Sequence, residues 1–487
     1  MRVAPIIVWL RQDLRLNDNP ALAAAVAAGA PIVPLYLLDD ETPGPWRLGG
    51  ASRWWLQHSL ASLDRSLRRC GARLILRRGR AETVIRQLVD ELRPRAVFWN
   101  RCYEPYAVAR DAAIKRQLGA QSIGAESFNA GLLFEPWTVR TQSGTPFKVF
   151  TPFWQACLAA PDPTGPGKAP RRLRPPDAWP ASDDLAAWRL LPRQPDWAGG
   201  LRATWTPGED GAQAQLDHFF NNALADYRDG RDRPDREFTS RLSPHLHFGE
   251  IGPRQVWHAA RALSQAGARG LASAGGAFLR ELGWREFCHH LLFHRPEMPT
   301  EPLRPAFARL AWRDDPAGLR AWQRGATGYP IVDAGMRQLW RTGWMHNRVR
   351  MIAASFLIKD LMIPWQRGEA WFWDTLVDAD LANNAAGWQW VAGCGADAAP
   401  YFRIFNPLLQ GEKFDPAGDY VRRYVPELAA LPAKWIHRPF AAPKQILDAA
   451  GVRLGQTYPA PIVDHAAARD RALAAFAALR TAASDAP

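Results

Sequence analysis

Four short stretches combine residue types that could do chemistry. The first is Thr239-Ser240-Arg241-Leu242-Ser243-Pro244, just ahead of an apolar-patterned helix. Clustered hydroxyls at a helix start donate to phosphate oxygens, helped by backbone N–H groups and the helix dipole; the commoner use of Ser and Thr there is capping. The second is Glu281-Leu282-Gly283-Trp284-Arg285-Glu286-Phe287, where helical spacing puts Glu281, Trp284 and Arg285 on one face. An acid, a large π surface and a guanidinium suit the wall of a cavity for a flat heterocycle, and equally a surface ion pair beside a packed Trp. The third is Trp344-Met345-His346-Asn347-Arg348-Val349-Arg350-Met351. The fourth is Asp378-Ala379-Asp380-Leu381-Ala382-Asn383-Asn384, followed by Gly387-Trp388-Gln389-Trp390. Its acids and amides stand among small residues that let a ring system approach the backbone. The spacing of a calcium loop is absent. So are the nucleophile elbow, the H-E-x-x-H helix and any Ser/His/Asp signature, which leaves hydrolytic or covalent catalysis without support. Aromatic residues interleaved with Arg point to stacking on bases and holding phosphates.

These stretches need elements to position them. Compact apolar runs at Ile6–Leu10, Pro31–Leu38, Leu74–Leu76, Ala96–Trp99 and Ser122–Phe128 alternate with amphipathic segments at Ala21–Ala28, Ser52–Arg69, Ala81–Leu92 and Val108–Leu118. That alternation predicts parallel β/α units in a doubly wound sheet. Ligands in such sheets sit beyond the carboxyl ends of the strands, so Trp9–Asn19 and Asn100–Tyr106 are candidate pocket loops. No G-x-G-x-x-G or Walker loop follows a strand, which disfavours an ordinary dinucleotide or ATP site. Nine prolines between Pro161 and Pro195 mark a long connection. Beyond it the patterns are helical: Gln213–Tyr227, Pro253–Ala266, Gly276–His290, Val332–Thr342, Arg348–Lys359 and Glu369–Leu376. The predicted layout is an α/β domain over 1–135, a linker over 136–212 and an all-α domain over 213–487.

Composition narrows the function. Lys plus Arg number 61 against 48 Asp plus Glu, a formal charge of +13 over 487 residues. Such a basic chain is steered toward polyanions, although an Arg-rich composition also follows from a GC-rich genome. The five cysteines, Cys70, Cys102, Cys157, Cys288 and Cys394, are far apart and form no C-x-x-C pair. Neither a disulfide framework nor a metal site is expected, and a reducing compartment fits. No apolar span is long enough for a membrane helix and no signal peptide is evident, so a soluble cytoplasmic protein is expected. The 23 tryptophans are the compositional oddity. Trp packs cores, stacks on bases and carries one-electron chemistry.

The motifs together resemble the photolyase/cryptochrome family along nearly the whole chain. The likeness runs from Val8-Trp9-Leu10-Arg11-Gln12-Asp13-Leu14-Arg15 through Gly328-Tyr329-Pro330-Ile331-Val332-Asp333-Ala334 and Asp397-Ala398-Ala399-Pro400-Tyr401-Phe402 to Tyr401-Phe402-Arg403-Ile404-Phe405-Asn406-Pro407 and Gly411-Glu412-Lys413-Phe414. The resemblance implies an N-terminal Rossmann-like antenna domain joined to a C-terminal all-helical domain that holds FAD. It implies that Tyr227, Thr239, Ser240, Leu242 and Ser243 grip phosphate and ribose, and that Arg285 and Glu281 serve the adenine side and the cavity. Asp378, Asp380 and Asn384 become isoalloxazine contacts, with Asn384 near the flavin N5 and Arg350 the partner of Asp378. An Asn amide serves either protonation state of that nitrogen. Trp388, Trp365 and Trp312 match an electron-transfer chain of three tryptophans. The implied partner is UV-damaged DNA with a flipped pyrimidine dimer, held by a rim of Arg231, Arg348 and Arg403, and the protein acts as a monomer.

Within the family, Glu281, Trp284, Asn347 and Met351 match the pattern for cyclobutane-dimer repair, nearest the class I-type enzymes. Trp284 stacks on the dimer, Glu281 and Asn347 bond its base edges, and Asn347 also borders the cofactor. A (6-4) photolyase carries two histidines here, whereas His346 is followed by Asn347 and position 351 is Met. A cryptochrome-type light sensor is the other rival. A second, antenna chromophore is expected, a folate or a deazaflavin. Ala107 at the aligned Glu position and the lack of a Cys-Lys pair at 298–299 speak against one folate mode.

Overall fold

The structure, a computed structural model, describes residues 3–265, 271–398 and 402–484. The chain divides into two compact units. One comprises Met1–Arg228, Thr239–Pro296 and Val377–Ala382; the other comprises Asp229–Phe238, Glu297–Leu376 and Asn383–Pro487.

In the first unit, strands β1 (Ile6–Leu10), β2 (Ile32–Leu38), β3 (Ile75–Arg78), β4 (Ala96–Asn100) and β5 (Gly124–Phe128) form one sheet in the order β3-β2-β1-β4-β5. All neighbours are parallel, with Ile6 opposite both Ile32 and Ala96. β1, β2 and β4 are buried at every position, which explains their unbroken apolar runs. Edge strand β5, Gly-Ala-Glu-Ser-Phe, is partly exposed. Helices α1 (Pro20–Ala27), α2 (Gly50–Arg69), α3 (Ala81–Leu92) and α4 (Pro105–Gly119) make the crossovers. The Asn19 side chain caps α1 by accepting from Leu22 N–H, and α1 and α4 open on proline.

The strand order reverses between β1 and β4, where a ligand crevice is expected. Here the two candidate pocket loops are tied to each other. Gln12 Nε2 donates to Glu104 Oε1 at 2.6 Å and Asn100 Nδ2 to Asp13 Oδ2 at 2.6 Å. Arg11 pairs with Asp111 at 2.7 Å and stands over the Trp9 ring.

The stretch read as a connection is not bare chain. It carries helix α5 (Phe150–Ala159), whose Phe150, Phe153, Trp154 and Cys157 are buried. The proline-rich run begins only at Pro161, so α5 falls in the part of the expected linker that the prolines do not mark. The longer helices that follow in this unit are α6 (Glu209–Asn222), α7 (Pro253–Gln265) and α8 (Leu271–His294). The expected helix Pro253–Ala266 ends on a residue outside those described, as do residues 399–401 of the Asp397–Phe402 motif.

Residues after Thr239 lie against the sheet's own loops. Trp55 Nε1 donates to Glu250 Oε1 at 2.9 Å and Arg15 to the Gly249 carbonyl at 2.9 Å. Gly249 has φ +65°, and a Cβ there would stand 2.0 Å from the Gln12 carbonyl oxygen, so only glycine fits.

The second unit is helical. Its elements include α9 (Pro316–Arg324), α10 (Pro330–Thr342), α11 (Asn347–Ser355), α12 (Trp365–Thr375), α13 (Leu381–Ala392), which begins in the first unit, and α14 (His465–Ser484). The expected helix Arg348–Lys359 is interrupted: α11 ends at Ser355 and a π-helical turn covers Phe356–Asp360. Among the described residues its strand-like pairing is one bridge, Leu454 to Tyr458. No described helix is long and apolar enough to cross a membrane, and no described group of side chains is arranged to hold a metal. All five cysteines are free thiols.

Candidate functional site

The hydroxyl-rich segment makes a turn rather than a plain helix start. Arg241 adopts φ +52°, and the helix that follows spans only Ser243–His247. Gln215 Nε2 holds the Ser240 carbonyl at 2.9 Å and Ser240 Oγ accepts from Leu242 N–H at 3.4 Å. Leu242 is buried, while Thr239 and Ser240 are half-buried. Ser243 Oγ donates to Asp378 Oδ2 at 2.6 Å. Its proton thus goes to a carboxylate, which joins the first and fourth sequence stretches directly. Tyr227 sits edge-on to Phe219 and Phe278, at ring distances of 5.5 and 5.6 Å.

Asp380 is buried between two histidines, with His289 Nε2 at 3.4 Å and His247 Nδ1 at 3.6 Å. Burial opposes its ionisation, but the imidazoles outweigh that and hold the carboxyl well below the usual range. Burial likewise opposes a charge on His289, and Asp380 reverses the balance so that its pKa is raised. Neither histidine was singled out in the sequence. His289 lies one turn after Arg285 on the same helix, a signal that was available.

Glu281, Trp284 and Arg285 share α8 as the spacing predicts, yet their tips part. Arg285 donates to the Gly131 carbonyl at 2.7 Å and pairs with Glu286 at 3.3 Å. Glu286 also accepts from Leu133 N–H at 2.8 Å and Phe134 N–H at 3.2 Å. Burial nevertheless pushes its carboxyl up to about 7. Trp284 lies flat on Phe150, with ring centres 3.8 Å apart. Glu281 is half-buried.

In the second unit Asn347 is exposed as the first residue of α11. His346 caps that helix, its Nδ1 accepting from Arg348 N–H at 3.2 Å. Burial lowers its pKa to about 4, which keeps it a neutral acceptor. Arg348 pairs with Asp232 at 2.7 Å, stands 4.5 Å over Phe414 and has Met351 beside it. Arg350 donates to the Met345 carbonyl at 2.7 Å. Arg231 is half-buried, and exposed Arg403 lies over Phe405. Asn384 donates one Nδ2 proton to the Glu369 carbonyl at 3.1 Å.

Of the three matched tryptophans, Trp388 and Trp365 are buried and Trp312 is half-buried. Trp388 packs on α12 at Gly368, where a Cβ would stand 2.1 Å from the indole. Trp365 lies one turn earlier on that helix. Among the described residues, the rings of Phe372 at 5.0 Å and Trp322 at 6.1 Å lie against Trp388. Trp322 donates to the Ala353 carbonyl at 2.9 Å. Sequence reading did not single it out, because a Trp on a helix face reads as packing.

Comparison with known proteins adds three kinds of likeness. The family model for DNA photolyase matches residues 6–172, and that for the FAD binding domain of DNA photolyase matches residues 278–478. A deoxyribodipyrimidine photo-lyase of Agrobacterium fabrum is 55% identical over 99% of both chains. Cryptochrome-1 of Arabidopsis thaliana is 43% identical over 95% of this chain and 69% of its own length. A solved bacterial class III photolyase from Agrobacterium tumefaciens superposes with a TM-score of 0.95 at 54% identity, covering 99% of this chain and 98% of that one.

Proposed function

This chain belongs to the DNA photolyase family, and from that premise we propose that it is a deoxyribodipyrimidine photo-lyase, splitting cyclobutane pyrimidine dimers in UV-damaged DNA under blue light. The observation that carries the reading is end-to-end likeness to a photo-lyase, at 55% identity over 99% of both chains. Within the family we propose class III in place of the class I-type expectation; the 54% identity with a class III structure over nearly the full length supports it. The motif residues that suggested class I concern the reaction, which both classes share in this reading.

The side chains fit FAD. Asp380 is held ionised by His247 and His289, and Asn384, anchored by one N–H on the Glu369 carbonyl, keeps a second N–H and its carbonyl oxygen to offer. FAD, when bound and reduced, would lend one electron on photoexcitation to open the cyclobutane ring and take it back afterwards, so that the splitting is redox-neutral. Thr239, Ser240, Leu242 and Tyr227 hold the phosphate and ribose side. Ser243 serves there by fixing Asp378, and Arg285 by bracing α8 against the loop at Gly131. Asp378, Asp380 and Asn384, with Arg350 and Asn347, border the ring system. Trp388, Trp365 and Trp312 would relay an electron inward to the photoexcited oxidised cofactor, with an external reductant replacing it on the tryptophans.

Arg231, Arg348 and Arg403 bind phosphates and carry no sequence information. The dimer flips out, at a cost lowered by its poor pairing in the duplex. Trp284 stacks on it and Glu281 and Asn347 hydrogen-bond its base edges; Met351 completes the residue pattern for cyclobutane-dimer repair. Glu281 steadies the transient charge on the dimer by donating a hydrogen bond. A folate or deazaflavin serves as antenna, and the protein works as a cytoplasmic monomer.

The 43% identity with a cryptochrome keeps one other reading, a light receptor without repair. An oligonucleotide with a single thymine dimer decides between them. Light-dependent recovery of intact thymines supports the photo-lyase; binding of FAD with no repair supports the receptor.

A further inference from the structure

Helix α5 lies within the expected linker, 136–212, yet its first residue covers one face of Trp284. The rings of Phe150 and Trp284 are 3.8 Å apart and 7° from parallel. Aromatic pairs prefer offset or edge-on contact, so such a close parallel overlap is imposed by surrounding packing. The packing is visible. Phe147 N–H donates to His290 Nε2 at 3.1 Å, pinning the chain ahead of α5 to α8. Phe153 meets Phe287 at 5.2 Å and His290 at 5.0 Å. Gly283 has no side chain because Trp154 occupies its place, 2.5 Å from where a Cβ would be. The Arg280 guanidinium stands 4.7 Å from the centre of Phe150. It draws on the π density that would otherwise repel the indole face. Phe150 is fully buried, whereas Trp284 is half-buried.

From this stack we infer that Phe150 is a positioning residue, the backing that holds the Trp284 indole in the plane in which it receives the flipped dimer. The inference rests on the proposed role of Trp284. With one indole face closed by Phe150, stacking on substrate is confined to the other. The ring pays little ordering entropy when the dimer arrives, because its orientation is already fixed. Removing the backing should therefore weaken recognition of the dimer and leave phosphate binding alone, since phosphate contacts are separate from base contacts.

The experiment uses the FAD-loaded protein in darkness. Binding is measured to an oligonucleotide with one thymine dimer and to the same oligonucleotide undamaged, for wild type, Phe150→Leu, Phe150→Tyr, Trp284→Ala and the Leu/Ala double variant. Phe150→Leu is expected to weaken dimer binding about three- to tenfold, a part of what a base–aromatic stack contributes. Undamaged DNA should bind as before, and Phe150→Tyr, which keeps the ring, should restore the dimer. In the Trp284→Ala background Phe150→Leu should add nothing, because it acts through the absent indole. Phe150→Leu matching wild type, weakening both DNAs alike, or adding its full effect to Trp284→Ala would overturn the inference. Trp284→Ala binding the dimer as wild type does would instead overturn the reading of Trp284 beneath it.

Discussion

His289 turns its Nδ1 to the carbonyl oxygen of Arg285 at 3.0 Å and its Nε2 to the carboxylate of Asp380 at 3.4 Å. A carbonyl and a carboxylate only accept, so both ring nitrogens carry protons and the pair is ionic. Burying an unpaired charge is costly, and removing one partner leaves the other stranded. Asp380→Asn is therefore expected to cost about 3 kcal/mol of stability, or a comparable loss in FAD retention. Absorbance of the purified protein near the flavin bands, with its thermal midpoint, checks this. The lowered Asp380 pKa adds stability above the unfolded carboxyl value and loses it as pH falls through the folded one. The raised His289 pKa adds stability below the ordinary imidazole value and loses it as pH rises through the folded one. Retention of FAD should therefore fall at both pH extremes.

His290 behaves oppositely. Burial lowers its pKa to about 4, and its Nε2 accepts from Phe147 N–H. The unfolded chain binds a proton there first as pH falls. Stability is thus fully present above the ordinary imidazole value near 6.5 and declines toward 4. His290→Asn should flatten that decline by on the order of 2 kcal/mol, read from denaturant midpoints across the window.

Trp365→Phe and Trp388→Phe should each slow light-driven reduction of the oxidised cofactor at least about tenfold, since a ring harder to oxidise interrupts the hops. Repair by protein reduced chemically beforehand should continue. Loss of repair in that reduced protein would place these rings in the dimer chemistry instead.

Arg348 pairs with Asp232 and rests on Phe414. If it meets a phosphate, Arg348→Ala should weaken damaged and undamaged DNA alike and lower the slope of log affinity against log salt by about one. A loss confined to the dimer would make it a base contact.

Much of the fold was legible because its signals are local. The unbroken apolar runs of β1, β2 and β4 announce strands buried on both faces, and the amphipathic segment Ala21–Ala28 announces α1. The meeting of Ser243 with Asp378 was not legible, since 135 positions separate them and nothing local couples them. Helical spacing put Glu281, Trp284 and Arg285 on one face, but side-chain direction depends on partners. Gly131 draws Arg285 one way and Phe150 draws Trp284 another. Helix α5 was passed over because the expected linker starts at 136, ahead of the prolines that mark it, and His247 and His289 because of the salience of the acids they hold.

The central claim is repair by reduced FAD with Trp284 and Glu281 at the dimer. It is tested by illuminating the reduced protein with an oligonucleotide carrying one thymine dimer and measuring intact thymines by chromatography against a dark control. Light-dependent recovery in wild type, weakened about tenfold or more by Trp284→Ala and by Glu281→Ala, is the predicted result. A fully reduced, FAD-loaded protein that restores no thymines in blue light would contradict it.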